Sequence, residues 1–441
     1  MRKKIFFGLI LILLIFVSAF LFLKIKQIPP KIEKPTPTSS IPTSFPTLTL
    51  IPTASTSSTF KDSSSIASAN NQFNLDLYKN LIQKEKSNIF FSPYSIFSAM
   101  AMVYEGALGK TADEIKAVFH FPESNVLRTN FAELYNQLNQ KGKDFELKTA
   151  NALWLQKNYP FLSSYLTLLE KYYGGKARNL DFVNETEKSR QIINQYIEEE
   201  TNKKIKDLIP KGSISPMTRL VLTNAIYFKG VWFWQFDEKM TNNQKFFIRP
   251  DFSVEIPIMN MRPEKAEFNY YEDETVQVLE MPYKGEKIVM IVVLPRQILS
   301  GRDLLSFESS LTEEKLKAYQ TKMEKTKLDA IALPKFKLET KYFLNENLIE
   351  LGMPTAFSGR ADFSKITGKK DFSISTVIHQ AFVEVDEKGT EAAAATAVIM
   401  VKSAIGKPPK IFRADHPFLF YILDKETGTI LFFGRVIDPR G

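Results

Sequence analysis

The sequence predicts an α+β fold in a single large domain, from three observations. Helical patterns concentrate early in the folded part of the chain, strand patterns come late, and neither a strand-helix-strand rhythm nor an internal repeat runs through it. The length of 441 residues and the 44% hydrophobic content are sufficient for a large core, in one big domain or in two of ordinary size.

The early elements are helices. Apolar residues recur at helical spacing over residues 73–82, close to Ala69, where we expect the folded part to begin. Ser92 followed by Pro93 is typical of a helix start, with the serine as N-cap and the proline at the first helical position. The sequence Thr-Ala-Asp-Glu at residues 111–114 predicts a capping box that opens another helix.

The later elements are strands. Runs rich in β-branched and aromatic residues cover residues 218–228, 287–294 and 418–423, and the second of these follows a turn at residues 283–285. These lengths are typical of buried strands, so we expect sheets in the second half of the domain.

Residues 1–27 predict a membrane anchor. An uninterrupted apolar run covers residues 5–23, and as a helix it would be about 28 Å long, close to the hydrocarbon core of a bilayer. Lys24 follows directly, without a cleavage site of small residues. We therefore expect an uncleaved signal anchor and an extracellular location for the rest of the chain, with a cleaved signal peptide and secretion as the alternative.

Residues 28–68 predict a disordered linker. They contain 7 prolines and 18 serines and threonines among 41 residues, a composition that cannot bury enough apolar surface to fold. Extended, this segment would reach on the order of 120 Å and hold a domain of residues 69–441 clear of a cell surface. The alternative is a tail without consequence.

Charge and cysteine content exclude several classes of protein. The net charge is +9, but residues 1–68 carry +6 of it, so that the remaining 373 residues have an ordinary mixed surface and no nucleic-acid signal. The absence of cysteine excludes disulfides, thiolate metal sites and a cysteine nucleophile.

No enzyme motif is present. The three histidines, at positions 120, 379 and 416, lie outside any metal-binding or nucleophile-activating motif. We interpret His120 as a partly buried residue at a helix end, and His416 as a residue that fixes a turn or pairs with a backbone carbonyl. The sequence therefore predicts neither catalysis nor a metal or cofactor.

The segment from Glu387 to Thr396 is the most informative part of the chain, because its structure is able to change. Alanine and glutamate favour a short helix, whereas the β-branched residues near its end fit a strand at least as well. As a strand it would alternate, with Glu391 on one face and small side chains on the other, namely Thr390, Ala392, Ala394 and Thr396. A strand with such a face could enter a sheet between two existing strands.

At these residues the chain resembles the serpins. The family has a hinge of the form Glu-x-Gly-Thr/Ser-Glu-Ala-Ala, and about thirty residues later a Phe-x-Ala-x-His/Arg-Pro-Phe signature, which is found here at residues 412–418. Further matches lie at residues 88–95, 220–232, 333–336 and 433–439. The resemblance implies the serpin fold, with three β-sheets, about nine helices and an exposed reactive loop at about residues 387–411. The implied hinge comprises Glu387, Gly389, Thr390, Glu391, Ala392, Ala393, Ala394, Ala395 and Thr396.

The resemblance also implies two polar clusters. Taken alone, His379 is a core histidine with one hydrogen bond. In the serpin pattern it belongs to a shutter beneath the central sheet, formed by Ser92, Ser95, Asn224 and His379. A breach, where the loop first enters the sheet, would be formed by Trp232, Lys335 and Glu387.

The function implied by the resemblance is suicide inhibition of a serine protease by a monomer. The cut bond is expected at Ser403-Ala404, sixteen positions after Glu387 and fourteen before Pro417, with Lys402-Ser403 as the alternative. A serine before the bond suits subtilisin-like or elastase-like enzymes, and Lys402 would suit a trypsin-like one. The other class of function is a non-inhibitory binding or structural protein displayed on the cell surface.

Overall fold

The computed structural model describes residues 63–139, 144–174, 176–263, 266–390 and 409–441. These residues contain ten α-helices: α1 (Ser63–Lys84), α2 (Pro93–Glu105), α3 (Gly109–Val118), α4 (Ser124–Leu138), α5 (Ser163–Tyr173), α6 (Thr186–Glu200), α7 (Gly301–Ser309), α8 (Glu313–Lys322), α9 (Asn345–Leu351) and α10 (Ser364–Thr367). Two short 3₁₀ helices cover Glu238–Met240 and Thr355–Phe357.

The same residues contain eighteen strands. They are β1 (Ile89–Phe91), β2 (Phe145–Thr149), β3 (Ala152–Gln156), β4 (Lys176–Leu180), β5 (Leu220–Val231), β6 (Asn242–Arg249), β7 (Phe252–Met261), β8 (Phe268–Glu272), β9 (Val276–Pro282), β10 (Ile288–Pro295), β11 (Glu324–Thr326), β12 (Ala330–Pro334), β13 (Phe336–Phe343), β14 (Val377–Asp386), β15 (Gly389–Thr390), β16 (Ile411–Arg413), β17 (Phe418–Asp424) and β18 (Thr429–Val436).

The strands form three sheets. The large mixed sheet has the order β13-β14-β15-β5-β3-β4, and β2 pairs with β5 on the side of β3. A seven-stranded antiparallel sheet has the order β1-β18-β17-β10-β9-β8-β11, and a four-stranded sheet the order β16-β12-β7-β6. The α+β prediction is confirmed.

The core lies between the large mixed sheet and the antiparallel sheet. Strands β10 and β17 are buried along their whole length, which is why their sequences are continuous apolar runs without alternation. Helix α2 packs against both β5 and β18, and all but one of its residues are buried. Phe90 stacks on Phe432 with ring centroids 5.4 Å apart. This helix therefore supports the large mixed sheet from the core side.

The strand and helix-cap predictions are confirmed, whereas the capping-box prediction is not. The three predicted strand runs are confirmed as β5, β10 and β17, and the Ser92 hydroxyl caps α2 by accepting a hydrogen bond from the Ser95 N–H at 3.1 Å. The capping box at residues 111–114 is wrong, because α3 begins at Gly109. The hydroxyl of Thr111 and the carboxylate of Glu114 instead bind backbone N–H groups of residues 362 and 355. Tertiary partners therefore outweigh the local capping pattern.

The predicted anchor and most of the predicted linker cover residues that the structure does not describe. None of the helices within the described ranges is long and apolar enough to cross a bilayer. The predicted anchor at residues 5–23 and most of the predicted linker fall outside these ranges, although α1 begins at Ser63, within the segment predicted as linker.

Candidate functional site

The candidate site is the boundary between β5 and β14 in the large mixed sheet. The two strands are parallel and pair directly from Val377 opposite Leu222 to Phe382 opposite Tyr227. Beyond that point the two-residue strand β15 lies between them and is antiparallel to both. The sheet is therefore closed at one end of this boundary and already holds an additional strand at the other.

Strand β15 is fixed in register on both sides. Thr390 lies opposite Val385 of β14 and Gly230 of β5, and Gly389 lies opposite Asp386 and Val231. A β-carbon on residue 389 would overlap the carbonyl oxygen of Gly230. Glycine is therefore required at position 389 for the chain to enter the sheet here.

The Thr390 side chain is fully buried and has a specific partner. Its hydroxyl shares a hydrogen bond with the hydroxyl of Tyr283, with 2.7 Å between the oxygens. The Tyr283 ring stacks on Trp232, with ring centroids 4.5 Å apart, and covers Gly230, where a side chain would collide with it. Burial raises the pKa of Tyr283 far above its ordinary value, so that its hydroxyl stays protonated and able to donate.

The turn before β15 is held from two directions. The Asp386 carboxylate accepts hydrogen bonds from the N–H groups of Lys388 and Gly389, at 2.9 and 3.1 Å. The Trp232 indole donates to the Asp386 carbonyl at 3.0 Å, and the Trp232 N–H donates to the Lys388 carbonyl at 2.8 Å. The exit of the chain from β14 is therefore a defined hairpin.

Glu387 forms an ion pair at this turn, in which its own side chain is buried and that of Lys335 is partly exposed. Its carboxylate, with a side chain 6% exposed, lies 2.9 Å from the Lys335 ammonium and accepts a hydrogen bond from the Thr241 hydroxyl at 2.7 Å. Burial acts to raise the pKa of Glu387, but the bonds from Lys335 and Thr241 outweigh it, and the pKa lies below its ordinary value. The turn therefore holds a charged carboxylate.

A second polar cluster lies farther along the same boundary. His379 on β14 and Asn224 on β5 are register partners, and the His379 Nδ1 is hydrogen-bonded to the Asn224 Oδ1. The other ring nitrogen accepts a hydrogen bond from the Ser92 N–H at 3.0 Å, which makes Nδ1 the protonated nitrogen. Burial lowers the pKa of His379 to about 3, so the ring is neutral.

Asn224 joins this histidine to helix α2. Its amide nitrogen donates to the Ser95 hydroxyl at 2.7 Å and to the Asn151 Oδ1 at 2.9 Å. The Ser92 hydroxyl donates to the Leu431 carbonyl at 2.6 Å. This network connects β5, β14, α2 and β18, so separation of β5 from β14 has to break it.

The structure thus brings together each group of implied residues that lies within the described ranges. Ser92, Ser95, Asn224 and His379 form one network, and Trp232, Lys335 and Glu387 surround one turn. The remaining hinge residues and both candidate cut bonds, at residues 391–396 and 402–404, lie outside the described ranges.

Some site residues are missed by sequence reasoning. Tyr283, Thr241 and Asn151 bind the hinge or the histidine network, yet each lies more than 50 positions away in sequence and within no motif. Only the turn signal at residues 283–285 points near one of them.

The other two histidines have structural partners. The His416 Nε2 donates a hydrogen bond to the Pro295 carbonyl, 2.7 Å away, as expected for a residue that pairs with a backbone carbonyl. His120 lies just past the end of α3, as expected for a residue at a helix end, and its side chain is 39% exposed and pairs with Asp76 at 2.7 Å. Within the described part of the chain, no group of three or more acidic or histidine side chains is arranged to hold a metal ion.

Known proteins share this architecture. The profile of the family described as Serpin (serine protease inhibitor) matches residues 68–439. A serpin-like protein of Thermococcus kodakarensis is 40% identical over 426 residues, which cover 93% of this chain and 95% of the relative. The human leukocyte elastase inhibitor is 41% identical over 381 residues, which cover 85% of this chain and 99% of the relative. The solved structure of Serpin48 from the insect Tenebrio molitor has a TM-score of 0.75 at 33% identity and covers 85% of this chain and 98% of that one. The chain therefore belongs to the serpin family, whose members are generally serine protease inhibitors.

Proposed function

We propose that this protein inhibits a serine protease as a suicide substrate, by inserting its cleaved loop between β14 and β5. The observation that carries the proposal is β15, whose two residues already occupy the first positions of such a strand. Insertion would extend β15 along the boundary, and the acyl-enzyme would be carried with the loop.

The register of the sheet favours this extension. Val377 and Leu222, which now pair directly, are 155 positions apart, and so are Val385 and Gly230, which flank Thr390. A strand that continues β15 would therefore need β14 and β5 to move apart by one strand spacing, about 4.8 Å, without sliding along each other. Separation without a register shift keeps every side chain on its present face.

The hydrogen-bond balance also favours insertion. One parallel pairing of six residue pairs would be replaced by two antiparallel pairings, each about eight residues long. The net gain is on the order of ten ladder hydrogen bonds, each worth about 1 kcal/mol. A gain of this size is comparable with the stability of an ordinary domain, so the uncleaved protein would be held above its free-energy minimum.

The same register predicts where insertion meets the histidine network. Continued from Thr390, the strand would bring Thr396 between His379 and Asn224, whose side chains are now hydrogen-bonded to each other. Threonine offers both a donor and an acceptor to the separated groups. The side chains on its face would be Ala392 and Ala394, small enough to pass beneath the sheet.

We assign the cut bond to Ser403-Ala404 and expect a subtilisin-like or elastase-like target, with Lys402-Ser403 and a trypsin-like target as the alternative. The relative named leukocyte elastase inhibitor supports the first assignment by likeness. The test is incubation with subtilisin, elastase and trypsin, followed by denaturing electrophoresis and mass spectrometry. A covalent complex and a released 38-residue peptide that begins with Ala404 are expected, whereas complete cleavage without a complex would contradict inhibition.

We also propose that residues 5–23 anchor the protein, with the inhibitory domain outside the cell. The apolar run and the Pro/Ser/Thr-rich segment after it support this location. Membrane fractionation with N-terminal sequencing tests it, and soluble protein that begins between about residues 19 and 69 would contradict the anchor.

A non-inhibitory role is the second candidate, since some serpins, such as ovalbumin and thyroxine-binding globulin, do not inhibit proteases. The small residues of the hinge argue against it, because bulky or charged residues there would hinder entry into the sheet. A protein of this second kind would gain no heat stability when its loop is cleaved.

A further inference from the structure

Two aromatic side chains are exposed beside the hinge. The chain has three tryptophans; Trp154 and Trp232 are buried, whereas Trp234 is 41% exposed and its neighbour Phe233 is 42% exposed. The two rings form an edge-to-face pair with centroids 5.0 Å apart. We name Phe233 and Trp234 the aromatic corner. Aromatic residues are enriched at protein interfaces relative to the rest of the protein surface.

The backbone of the aromatic corner is rigid. On one side the Trp232 N–H donates to the Lys388 carbonyl at 2.8 Å, and on the other the Phe236 N–H donates to the Glu387 carbonyl at 2.8 Å. The Phe233 N–H itself donates to the Pro282 carbonyl at 2.9 Å. A partner that binds these rings would therefore lose little free energy in ordering them.

The same hydrogen bonds make the aromatic corner continuous with the reactive loop. The carbonyls of Glu387 and Lys388, to which it is bonded, immediately precede Gly389 and Thr390, from which the loop leaves the sheet. The proposed cut bond after Ser403 is 13 residues from Thr390, so it lies at most about 45 Å from the base of the loop. A protease of common size is about 35–45 Å across, so one bound at this bond can reach the residues beside Thr390.

We propose that the aromatic corner is a second contact site for the target protease. Its two rings would bind an apolar depression on the protease surface, outside the catalytic cleft of the protease. This inference rests on the proposed inhibitory function. Tryptophan is among the residue types that most often dominate binding energy at protein interfaces, and phenylalanine is enriched in the buried core of such interfaces. The site would speed capture of the protease without taking part in loop insertion.

The experiment compares the double variant Phe233→Ala/Trp234→Ala with the parent, using whichever of subtilisin, elastase and trypsin the parent inhibits fastest. The matched control is Met217→Ala, because Met217 is also an exposed apolar residue, with 78% of it exposed. Met217 precedes β5 and the aromatic corner follows β5, so the two lie at opposite ends of a strand about 40 Å long. We expect the association rate constant to fall about tenfold in the double variant, with an unchanged stoichiometry of inhibition and unchanged rate in Met217→Ala.

Other outcomes overturn the proposal in distinguishable ways. If the parent inhibits none of the three proteases, the proposed function fails and the inference fails with it. If the parent inhibits and the double variant reacts at the same rate, only the second contact site is refuted. A raised stoichiometry would instead assign the corner to loop insertion, and a parent dimer that the double variant converts to monomer would assign it to self-association.

Discussion

Thr390 is the residue at which the native sheet and the proposed inserted strand meet. Its side chain is fully buried and its hydroxyl is bonded to Tyr283, so the first inward position of the strand is already occupied before any cleavage. A residue here has to be small, to fit beneath the sheet, and polar, to satisfy the buried hydroxyl of Tyr283.

Replacement of Thr390 by arginine should convert the inhibitor into a substrate. The guanidinium would have to be buried without a partner, which costs several kcal/mol and slows insertion until the acyl-enzyme hydrolyses. The stoichiometry of inhibition, measured by titration of a protease, should rise at least several-fold. Thr390→Ser, which keeps the hydroxyl, is the control and should stay close to the parent. An arginine variant with the parent's stoichiometry would show that insertion does not require residue 390 to stay buried in the sheet.

His379 should make stability depend on pH below its ordinary pKa of 6.5. The buried ring resists protonation down to a pKa of about 3, whereas in the unfolded chain it binds a proton near pH 6.5. The unfolded state therefore binds more protons between these values, and the free energy of unfolding falls as pH falls, by at most about 1.4 kcal/mol per pH unit from this group. Above pH 6.5 the group has no such effect.

The variant His379→Gln isolates this contribution. Other carboxylates also titrate below pH 5, so the informative quantity is the difference in unfolding free energy between variant and parent, measured from pH 7 to pH 5. We expect this difference to shrink as pH falls, because only the parent loses stability through the histidine. An equal pH dependence in both proteins would mean that the ring takes up a proton between pH 7 and pH 5 in the folded state as it does in the unfolded state.

At the scale of elements, β15 depends on a bond from outside the large mixed sheet. Tyr283 follows β9 of the antiparallel sheet, yet its hydroxyl binds Thr390 between β14 and β5. Tyr283→Phe removes this bond and leaves the Thr390 hydroxyl buried without its partner, a loss of about 1 kcal/mol or more. Hydrogen exchange of the amides at residues 389–390 should become severalfold faster or more. Unchanged exchange would show that backbone pairing alone holds the strand.

The elements show what the sequence is able to predict. β10 and β17 are predictable because burial on both faces demands continuous apolar runs. The start of α2 is predictable because serine is a preferred N-cap and proline a preferred first helical residue. The two polar clusters follow from family resemblance, whereas periodicity alone gives no reason to join His379 to Asn224.

Other features depend on contacts that no local pattern encodes. The Thr390–Tyr283 bond joins residues 107 positions apart. The pairing of β15 with β5 requires glycine at 389, where a β-carbon would overlap the Gly230 carbonyl oxygen, and at 230, where a side chain would collide with Tyr283. The prediction of a capping box at residues 111–114 is wrong because distant contacts decide the structure there as well. A residue type with good local propensity is used instead by a distant loop.

For the whole molecule, insertion predicts a gain in stability when the loop is cut. About 10 kcal/mol of new ladder bonds would raise the melting temperature of a domain of this size by on the order of 10 °C or more. Calorimetry before and after cleavage between residues 391 and 408 measures the change. Arg435 on β18 and Glu308 on α7 form a buried ion pair outside the large mixed sheet, with 3.0 Å between the charged atoms, so the gain in melting temperature should not depend on this pair. The surface variant Met217→Ala should show the same gain as the parent.

The absence of cysteine allows a direct test of whether β14 and β5 must part. Ala381 and Ile226 are register partners with both side chains buried in the core, and paired cysteines at these positions roughly conserve the total side-chain volume. A disulfide between them would join the two strands where the new strand has to enter, at a separation that suits the bond. The pair is also free of any role in the His379 network.

The decisive measurement is denaturing electrophoresis of Ala381→Cys/Ile226→Cys after reaction with an inhibited protease, in the oxidised and the reduced form. The oxidised protein should be cleaved as a substrate without a covalent complex, and reduction should restore the complex to the parent's level. A covalent complex formed equally well by the oxidised protein would contradict insertion between β14 and β5.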